Sequence, residues 1–367
     1  MNSERIVIIG GGIIGLAIAI ELRLRSFAVT VLSRNFQQAA THVAAGMIAP
    51  QAEEIPPSPM LDLCLLSRSL YGDWTSKLER ISGRETGYWQ CGILAPRFTK
   101  PAKIVSQDSA YWLDREAILQ KQPGLGDQVV GGWWFPEDSQ VDNRRNLAQV
   151  LLLAAQNLKV EICEGVEAQK ILNRNSQVIG IETNQGVIEG HQYVLATGAW
   201  SRELFPLPVY PVKGQMMSVR VPQGHKSLPL KQVVFGDNIY IVPRRDGLIV
   251  LGATVEDVGF MPHNTPQGIQ SLLSEAIRIY PSLKDFPIEE FWWGYRPATS
   301  DQLPILGASP FANLKLALGH YRNGILLAPI TAKLIADLVA EEKSEPLLQH
   351  FSWQRFADSR KLEKLEI

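Results

Sequence analysis

The feature that most constrains the fold is a short apolar segment that leads directly into a group of glycines. Residues Ile6 to Ile9 form an unbroken apolar run, as expected of a parallel strand that is buried on both faces. The next residues, Gly10 to Gly15, fit the pattern G-x-G-x-x-G, and a second apolar run follows at 28–32. This order predicts a strand, a helix and a second strand, with the helix N-terminus facing a nucleotide pyrophosphate.

The glycines of this motif have separate tasks in such a unit. Gly10 permits the tight turn after the strand, Gly12 lets the backbone approach the pyrophosphate, and Gly15 brings the helix against the strand. Ile13 and Ile14 stand between the second and third of these glycines. The pattern alone is weakly specific, but its position between a strand and a helix makes it a strong indication of a nucleotide site.

The end of the second strand departs from the usual pattern. An acidic residue normally stands there and binds a ribose hydroxyl, whereas this sequence has Ser33 followed by Arg34. An arginine favours the additional phosphate of NADP, while a serine hydroxyl still hydrogen-bonds a ribose, more weakly than a carboxylate does. This segment alone therefore leaves three alternatives: NADP, FAD bound by a different contact, and no nucleotide.

Composition and charge narrow the class of protein. A chain of 367 residues is long enough for about two domains, and its 46% hydrophobic and 20% charged residues are typical of a globular protein. The net charge of −1 predicts neither a nucleic-acid-binding nor an anionic membrane-binding surface. Three cysteines without a CxxC pair, and six histidines without HxH or HExxH, predict no metal site and favour a cytoplasmic location.

The remaining sequence shows two kinds of pattern. The segment 144–158 has the apolar spacing of a helix, whereas 209–293 reads mainly as alternating strands, including a hairpin over 238–254 that turns at Asp246-Gly247. We therefore predict an α/β fold, α+β when taken as a whole, in which a discontinuous Rossmann-like domain carries an inserted, mostly antiparallel domain. The predicted nucleotide-binding domain comprises residues 1–80, 138–208 and 296–367, and the predicted substrate-binding domain comprises 81–137 and 209–295.

Six segments together resemble the flavin-dependent amino-acid oxidase family, which includes D-amino-acid oxidase, sarcosine oxidase and glycine oxidase. They are "GGGIIGLAIA" at the start, "AAGMIAPQAE" (44–53), "ATGAWS" (196–201), "YIVPRRDG" (240–247), "GYRPATSDQLPILG" (294–307) and "GHYRNGILLAP" (319–329). The last three are most similar to the glycine oxidases of bacterial thiamine biosynthesis. The resemblance runs nearly the full length and implies FAD as the nucleotide, with Ser33 and Arg34 as a weakened or rearranged ribose contact.

The resemblance also implies roles for individual residues. Arg296 is aligned with the family arginine that binds the substrate carboxylate, for which a planar guanidinium is well suited. Tyr240 is expected to hydrogen-bond the same carboxylate, and Arg322 to be a second cation near flavin or substrate. Each residue also has a structural alternative. These are an ion pair for Arg296, a bond to a backbone carbonyl for Arg322 and a position in the core for Tyr240. His320 is expected to orient other groups rather than act as a base.

The cofactor site predicted from the motif and the resemblance combines the glycine turn with five further parts of the chain. Gly324 would bring a helix N-terminus to the flavin, where oriented N–H groups favour negative charge. Val166 resembles the family position near adenine. The full predicted set is Gly10, Gly12, Ile13, Ile14, Gly15, Ser33, Arg34, Ala44, Ala45, Gly46, Met47, Val166, Thr197, Gly198, His320, Arg322, Asn323, Gly324, Ile325 and Leu326.

The activity implied by the resemblance is oxidative deamination of glycine, extending to sarcosine or small D-amino acids. It would yield glyoxylate, ammonia and hydrogen peroxide through an imine that serves thiamine thiazole synthesis, with O2 as the second substrate. Two alternatives are a broader D-amino-acid oxidase and a quinone-linked dehydrogenase. A third, from another class, is a non-catalytic protein that binds NADP or another dinucleotide. Relatives of this kind are homo-oligomers, and a tetramer is compatible with the resemblance.

We predict that FAD is bound noncovalently. Cys64, Cys91 and Cys163 all lie outside the segment around Gly294, where the sarcosine oxidase relatives resemble one another in carrying a flavin-linking cysteine. Acid precipitation of the purified protein should therefore release the yellow colour into the supernatant. Colour that stays in the precipitated pellet would contradict this prediction.

Overall fold

The computed structural model describes residues 4–101, 109–225, 227–340 and 345–356. Residues 1–3 and 357–367, which are the two ends of the predicted nucleotide-binding domain, lie outside the described residues. The α-helices of the described chain are α1 (Ile13–Leu24), α2 (Pro59–Ser82), α3 (Arg115–Lys121), α4 (Ala148–Asn157), α5 (Ser201–Leu204), α6 (Pro266–Ile279) and α7 (Gly324–Ala340).

The strands fall into two large sheets and two small ones. The first ten are β1 (Arg5–Ile9), β2 (Ala28–Ser33), β3 (Met47–Ile48), β4 (Ile93–Arg97), β5 (Tyr111–Asp114), β6 (Gly131–Phe135), β7 (Ser139–Gln140), β8 (Glu161–Glu164), β9 (Ala168–Arg174) and β10 (Gln177–Thr183). The others are β11 (Gly186–Ile188), β12 (Gln192–Leu195), β13 (Tyr210–Arg220), β14 (Val233–Phe235), β15 (Tyr240–Pro243), β16 (Leu248–Gly252), β17 (Ile288–Ala298), β18 (Ile305–Ala308) and β19 (Leu314–Leu318).

The first large sheet has the order β18-β19-β12-β1-β2-β8 and is parallel except for the β18–β19 pair. The apolar run of β1 lies in its interior, and both faces of that strand are buried. Ile6 and Ile8 pack with α1, α2, α4 and α7, while Val7 and Ile9 pack towards the small sheet β9-β10-β11. The buried parallel strand predicted from the sequence is therefore confirmed.

The second large sheet has the order β17-β13-β16-β15-β14-β4-β6-β5, and its only parallel pair among the described strands is β4 with β14. The predicted hairpin is confirmed, because β15 and β16 pair with Val242 opposite Val250 and turn at Asp246-Gly247. The prediction of mainly alternating strands over 209–293 missed helix α6. Thr265 caps α6 by accepting from the Gly268 amide, the kind of cap that starts a helix.

The strands of the two large sheets come from alternating parts of the chain. The parallel sheet takes its strands from 5–33, 161–195 and 305–318, and the antiparallel sheet takes them from 93–135 and 210–298. We propose these sheets as the centres of the two predicted domains. The exact boundaries stay a prediction, and β17 runs across the expected one at 295/296.

The helix that ends the first domain is unusually apolar. The segment Tyr321–Ala340 is long and apolar enough to cross a membrane by length and composition, yet 83% of its apolar window is buried inside the protein. It packs against α1 and α2 in the largest apolar cluster, where Ile325, Leu327 and Ile335 are among its buried residues. Burial by protein accounts for its composition, as in the core helix of a globular domain.

A buried arginine joins the hairpin β15–β16 to the first domain. Arg244 is 5% exposed; its Nη1 donates to the Gln140 Oε1 at 2.5 Å and to the Val141 carbonyl at 3.1 Å, and its Nη2 donates to the Ala45 carbonyl at 2.8 Å. Burial lowers the pKa of Arg244 to about 10, although the charge of Asp142 opposes this, so the side chain stays charged at neutral pH. The guanidinium therefore holds three segments of chain together.

We predict that Arg244→Met lowers the free energy of unfolding by roughly 2–4 kcal/mol, because the carbonyl and amide oxygens that it contacts lose their buried donor. Urea denaturation of the apoprotein measures the change. The control is Arg245→Met, since this neighbouring arginine is exposed and lies over the face of the Trp89 ring, 5.5 Å from its centre. Equal denaturation midpoints for the two variants would contradict the prediction.

Candidate functional site

A cavity of about 680 Å³ lies between the two large sheets. One end is formed by the glycine turn after β1 and the end of β2, and the other by β15, β17 and the turn before α7. The predicted residues that line it are Gly10, Gly12, Ile13, Ile14, Ser33, Arg34, Ala44, Ala45, Gly46, Met47, Val166, Thr197, Gly198, Tyr240, Arg296, His320, Arg322, Gly324 and Ile325. Three predicted cofactor residues do not line the cavity: Gly15, Asn323 and Leu326.

The glycine turn separates structural from ligand-facing positions. Gly10 has φ +120°, and a Cβ there would lie 2.2 Å from the Ala196 carbonyl oxygen, so only glycine fits. At Gly12 the nearest atoms to such a Cβ are 3.7 and 3.8 Å away, on Ala39 and Thr41. The protein itself therefore leaves room for a side chain at Gly12. That space opens onto the cavity, at the start of a helix without acidic residues in its first turn, which suits a pyrophosphate.

The arginine that suggested NADP is already paired. The Arg34 Nη1 lies 3.0 Å from the Glu167 Oε1 and 3.9 Å from the Glu203 Oε2, and its guanidinium lies over the Trp200 ring at 4.9 Å. A 2′-phosphate placed here would meet two carboxylates as well as one guanidinium. The local charge therefore disfavours NADP and leaves Ser33, which is 5% exposed, as a neutral ribose-side residue.

The segment that forms the middle of the cavity wall is fixed from behind by two buried side chains. Asn143 donates through its Nδ2 to the Thr41 carbonyl at 2.6 Å and to the Ala44 carbonyl at 2.8 Å. Arg244 donates to the Ala45 carbonyl, as described above. The backbone of 41–45 is thus held in place while Ala44, a small residue, leaves open space in front of it.

Arg296 has the geometry of a ligand anchor at the far end of the cavity. Its guanidinium lies against Gly214, where a Cβ would come within 2.6 Å of the Nη1 atom. The Nη1 donates to the Lys213 carbonyl at 3.3 Å and to the Thr254 carbonyl at 3.1 Å. These bonds fix the plane of the guanidinium, and in the described part of the chain no carboxylate forms an ion pair with it. The structural-ion-pair alternative for Arg296 is therefore not supported.

Tyr240 and Arg322 converge on the same end of the cavity. Burial raises the pKa of Tyr240, and the charge of Arg296 opposes the rise, which places the hydroxyl in the field of that guanidinium. Burial alone would lower the pKa of Arg322, but the Tyr321 side chain and the negative charge of Glu53 raise it above its usual value. The three substrate residues predicted from the sequence are thus brought together.

Glu53 is a cavity residue that the sequence analysis did not select. It is half-buried, and it lines the cavity in the loop before α2. Burial raises the pKa of Glu53 to about 7, against the lowering effect of Arg322. The available signal was its position at the end of the segment "AAGMIAPQAE", but a single acid in a Pro-rich loop has no spacing that marks it as functional.

His320 is held in the interior. It is 3% exposed, its Nε2 lies 3.1 Å from the Thr331 Oγ1, and burial lowers its pKa to about 3. A neutral, bonded imidazole fits the orienting role expected from the sequence. Leu326 and Asn323 are also buried, and the Leu326 carbonyl accepts from the Ser67 hydroxyl at 2.6 Å.

Comparison with known proteins adds relatives with this architecture. The chain is 62% identical over 358 residues to the bifunctional protein ThiO/ThiG of Trichormus variabilis, covering 96% of this chain and 55% of that protein. The chain thus spans about half the length of its first curated relatives. It is 33% identical over 374 residues to the glycine oxidase of Geobacillus kaustophilus, covering 95% of this chain and 96% of that protein.

Solved structures agree with these sequence relatives. The crystal structure of glycine oxidase from Geobacillus kaustophilus superposes with a TM-score of 0.87 at 32% identity, covering 96% of this chain and 99% of that one. Iminodiacetate oxidase from Chelativorans has a TM-score of 0.85 at 25% identity, covering 95% and 98%. The model of the DAO family, FAD dependent oxidoreductases, matches residues 5–338. The chain therefore belongs to the FAD-dependent oxidoreductase family, and its cofactor is FAD.

Proposed function

We propose that the chain is an FAD-dependent amino-acid oxidase that deaminates glycine, and through the same site sarcosine or small D-amino acids. The observation that carries the proposal is the convergence of Arg296, Tyr240 and Arg322 at the end of a cavity that begins at the glycine turn. Support also comes from relatives named glycine oxidase, one of which aligns over 96% of its own length. The products are glyoxylate, ammonia and hydrogen peroxide, formed through an imine.

The cavity residues fit FAD along its whole length. Gly12 and the start of α1 would hold the dinucleotide pyrophosphate, Ser33 and Val166 would hold the ribose and adenine, and Ala44 with the turn before α7 would hold the flavin. The open space at Gly12 supports this placement, because nothing in the described protein requires a glycine there. Bound FAD supplies the acceptor for a hydride from the substrate α-carbon.

The protein's own task in this reaction is to bind and orient the substrate. Arg296 donates through Nη1 to two backbone carbonyls and uses its other N–H groups to hold the substrate carboxylate. Tyr240 donates to the same carboxylate. Arg322 adds a second positive charge. A carboxylate fixed in this way allows the attached α-carbon only a small range of positions, and such orientation contributes to the rate.

The two catalytic alternatives differ from this proposal in substrate range and acceptor. A broader D-amino-acid oxidase would need space for larger side chains, and a quinone-linked dehydrogenase would return electrons to a quinone instead of O2. The non-catalytic NADP-binding alternative is disfavoured, because Arg34 is paired with Glu167 and Glu203.

The wider setting is part of the same proposal. We infer that the imine serves thiamine thiazole synthesis, since relatives at about 60% identity are named ThiO/ThiG. We also propose a cytoplasmic, homo-oligomeric enzyme, with a tetramer as the form to test by light scattering. Cys64, Cys91 and Cys163 are free thiols, as a reducing compartment requires.

Anaerobic reduction followed by visible absorption tests the proposed function. The purified yellow protein should be bleached by glycine, and addition of air should restore the colour and produce peroxide. Bleaching by D-alanine or larger D-amino acids but not by glycine would favour the broader oxidase. Recovery with a quinone but not with O2 would favour the dehydrogenase, and a colourless protein that FAD cannot reconstitute would contradict the whole proposal.

Arg296→Ala should weaken glycine use by roughly 2–5 kcal/mol in transition-state stabilisation, the range for removing one partner of a buried charge pair. The measurement is kcat/KM for glycine, with the visible spectrum as evidence that FAD is still bound. Arg220→Ala is the control, since this arginine of β13 pairs with Glu289 away from the cavity. Near-normal glycine kinetics in Arg296→Ala would contradict the assignment.

Gly12→Ala should fold normally and bind FAD at least about tenfold more weakly, equivalent to 1.4 kcal/mol. The reason is that the added methyl meets no protein atom within 3.7 Å but projects into the pyrophosphate position. Quenching of FAD fluorescence on titration into apoprotein measures the affinity. Gly72→Ala, in α2 with no atom within 4 Å of its Cβ, is the control. Unchanged FAD affinity in Gly12→Ala would refute the placement.

A further inference from the structure

We propose that Glu53 receives the ammonium group of the substrate and accepts its proton, which leaves the amine neutral before the α C–H bond breaks. This inference rests on the proposed function and adds a catalytic residue to it. In the proton transfer one N–H bond breaks, its electron pair stays on nitrogen, and an O–H bond forms on the Glu53 carboxylate. The proton returns to solvent when the product leaves and Glu53 ionises again.

The position of Glu53 supports this role. Its side chain lines the same cavity as Arg296 and Tyr240, and its negative charge acts on Arg322. Among the residues that the structure describes, no group donates a hydrogen bond to its carboxylate. A cavity carboxylate without a donor is available for an ammonium group, which brings three N–H donors.

The loop that carries Glu53 is fixed from the side away from the cavity. The Ala52 amide donates to the Asp138 Oδ2 at 2.8 Å, and the Arg68 Nη1 donates to the Asp138 Oδ1 at 2.8 Å and to the Gln51 Oε1 at 2.6 Å. The Glu53 amide closes a turn on the Ala49 carbonyl at 3.0 Å. The carboxylate is therefore presented by an anchored backbone, as a residue that must meet a small substrate requires.

The charges of the site match a zwitterion. Arg296 and Arg322 contribute two positive charges, and ionised Glu53 contributes one negative charge. The substrate carboxylate is placed by the arginines, and its ammonium group needs a negative partner that Glu53 supplies. The positive charges of the two arginines lower the pKa of an amine bound near them, which makes transfer of its proton to Glu53 easier.

The protonation state of Glu53 changes in the neutral range. Burial raises its pKa to about 7, so the carboxylate is ionised above that pH and protonated below it. A protonated Glu53 neither attracts an ammonium group nor accepts a proton, so amine oxidation should fall as pH decreases through about 7. The charged and titratable groups that act on it or respond to it are Arg322, Arg296, Asp138, Tyr240 and Cys64.

A carboxylate ligand that has no amine reports the titration of Glu53 without the titration of the substrate amine. Acetate has the anchoring group and no ammonium, so ionised Glu53 gives it only repulsion. In wild-type holoenzyme acetate should therefore bind more weakly as pH rises through about 7. Perturbation of the visible spectrum measures this binding without turnover.

The experiment compares wild-type holoenzyme with Glu53→Gln, Glu53→Asp and the control Glu54→Gln, whose exposed carboxylate pairs with Arg97 at 2.7 Å. Anaerobic reduction by glycine and acetate binding are followed between about pH 5.5 and pH 9. In Glu53→Gln, glycine should reduce the flavin roughly 10²–10⁴-fold more slowly, the range for loss of a general base. The pH dependences of this reduction and of acetate binding should both disappear. Glu53→Asp should keep them, and Glu54→Gln should match the wild type.

Each other outcome is informative. If the rate of flavin reduction in Glu53→Gln still falls as the pH decreases through about 7, Glu53 is not the proton acceptor and the inference is overturned. If only the acetate dependence disappears, Glu53 is a counter-charge for Arg322, which also overturns it. If wild type and Glu54→Gln bind acetate but no small amino acid reduces them, the proposed function fails instead.

Discussion

The wall of the cavity depends on one buried guanidinium that joins the hairpin β15–β16 to the backbone around Ala45 and Gln140. Arg244 stands at the end of β15, the strand that carries Tyr240, and donates to the backbone of Ala45 on the opposite wall. Its other contacts reach Gln140 and Val141, which adjoin the segment that holds 41–45 from behind. The hairpin is therefore held to these segments by hydrogen bonds from a charged group, which are stronger than neutral ones.

The site combines two opposite ways of using charge. At the nucleotide end, Arg34 pairs with Glu167 and Glu203 and stacks on Trp200, so its charge is already neutralised. At the other end of the cavity, Arg296 donates to neutral carbonyls, and no carboxylate among the described residues forms an ion pair with it. Among the described residues, the same residue type is thus paired with carboxylates in one place and bonded to carbonyls in the other.

Features that depend on a local sequence pattern were predictable from the sequence, and features that depend on contacts between distant parts of the chain were not. The strand at Ile6–Ile9, the glycine turn and the hairpin at Asp246-Gly247 follow from local pattern and were confirmed. The helix α6 was missed, because its Thr265-Pro266 start lies among strands. Glu53 and the partners of Arg34 were missed because their importance comes from residues far away in the chain, such as Arg322 and Glu203.

The most direct test of this account is a crystal structure of the FAD-bound protein with acetate. We expect the acetate carboxylate to lie within hydrogen-bonding distance of the Arg296 guanidinium and the Tyr240 hydroxyl, at the end of the cavity away from Gly12. Acetate bound at Arg322 alone, without a hydrogen bond to the Arg296 guanidinium or the Tyr240 hydroxyl, would contradict the central claim.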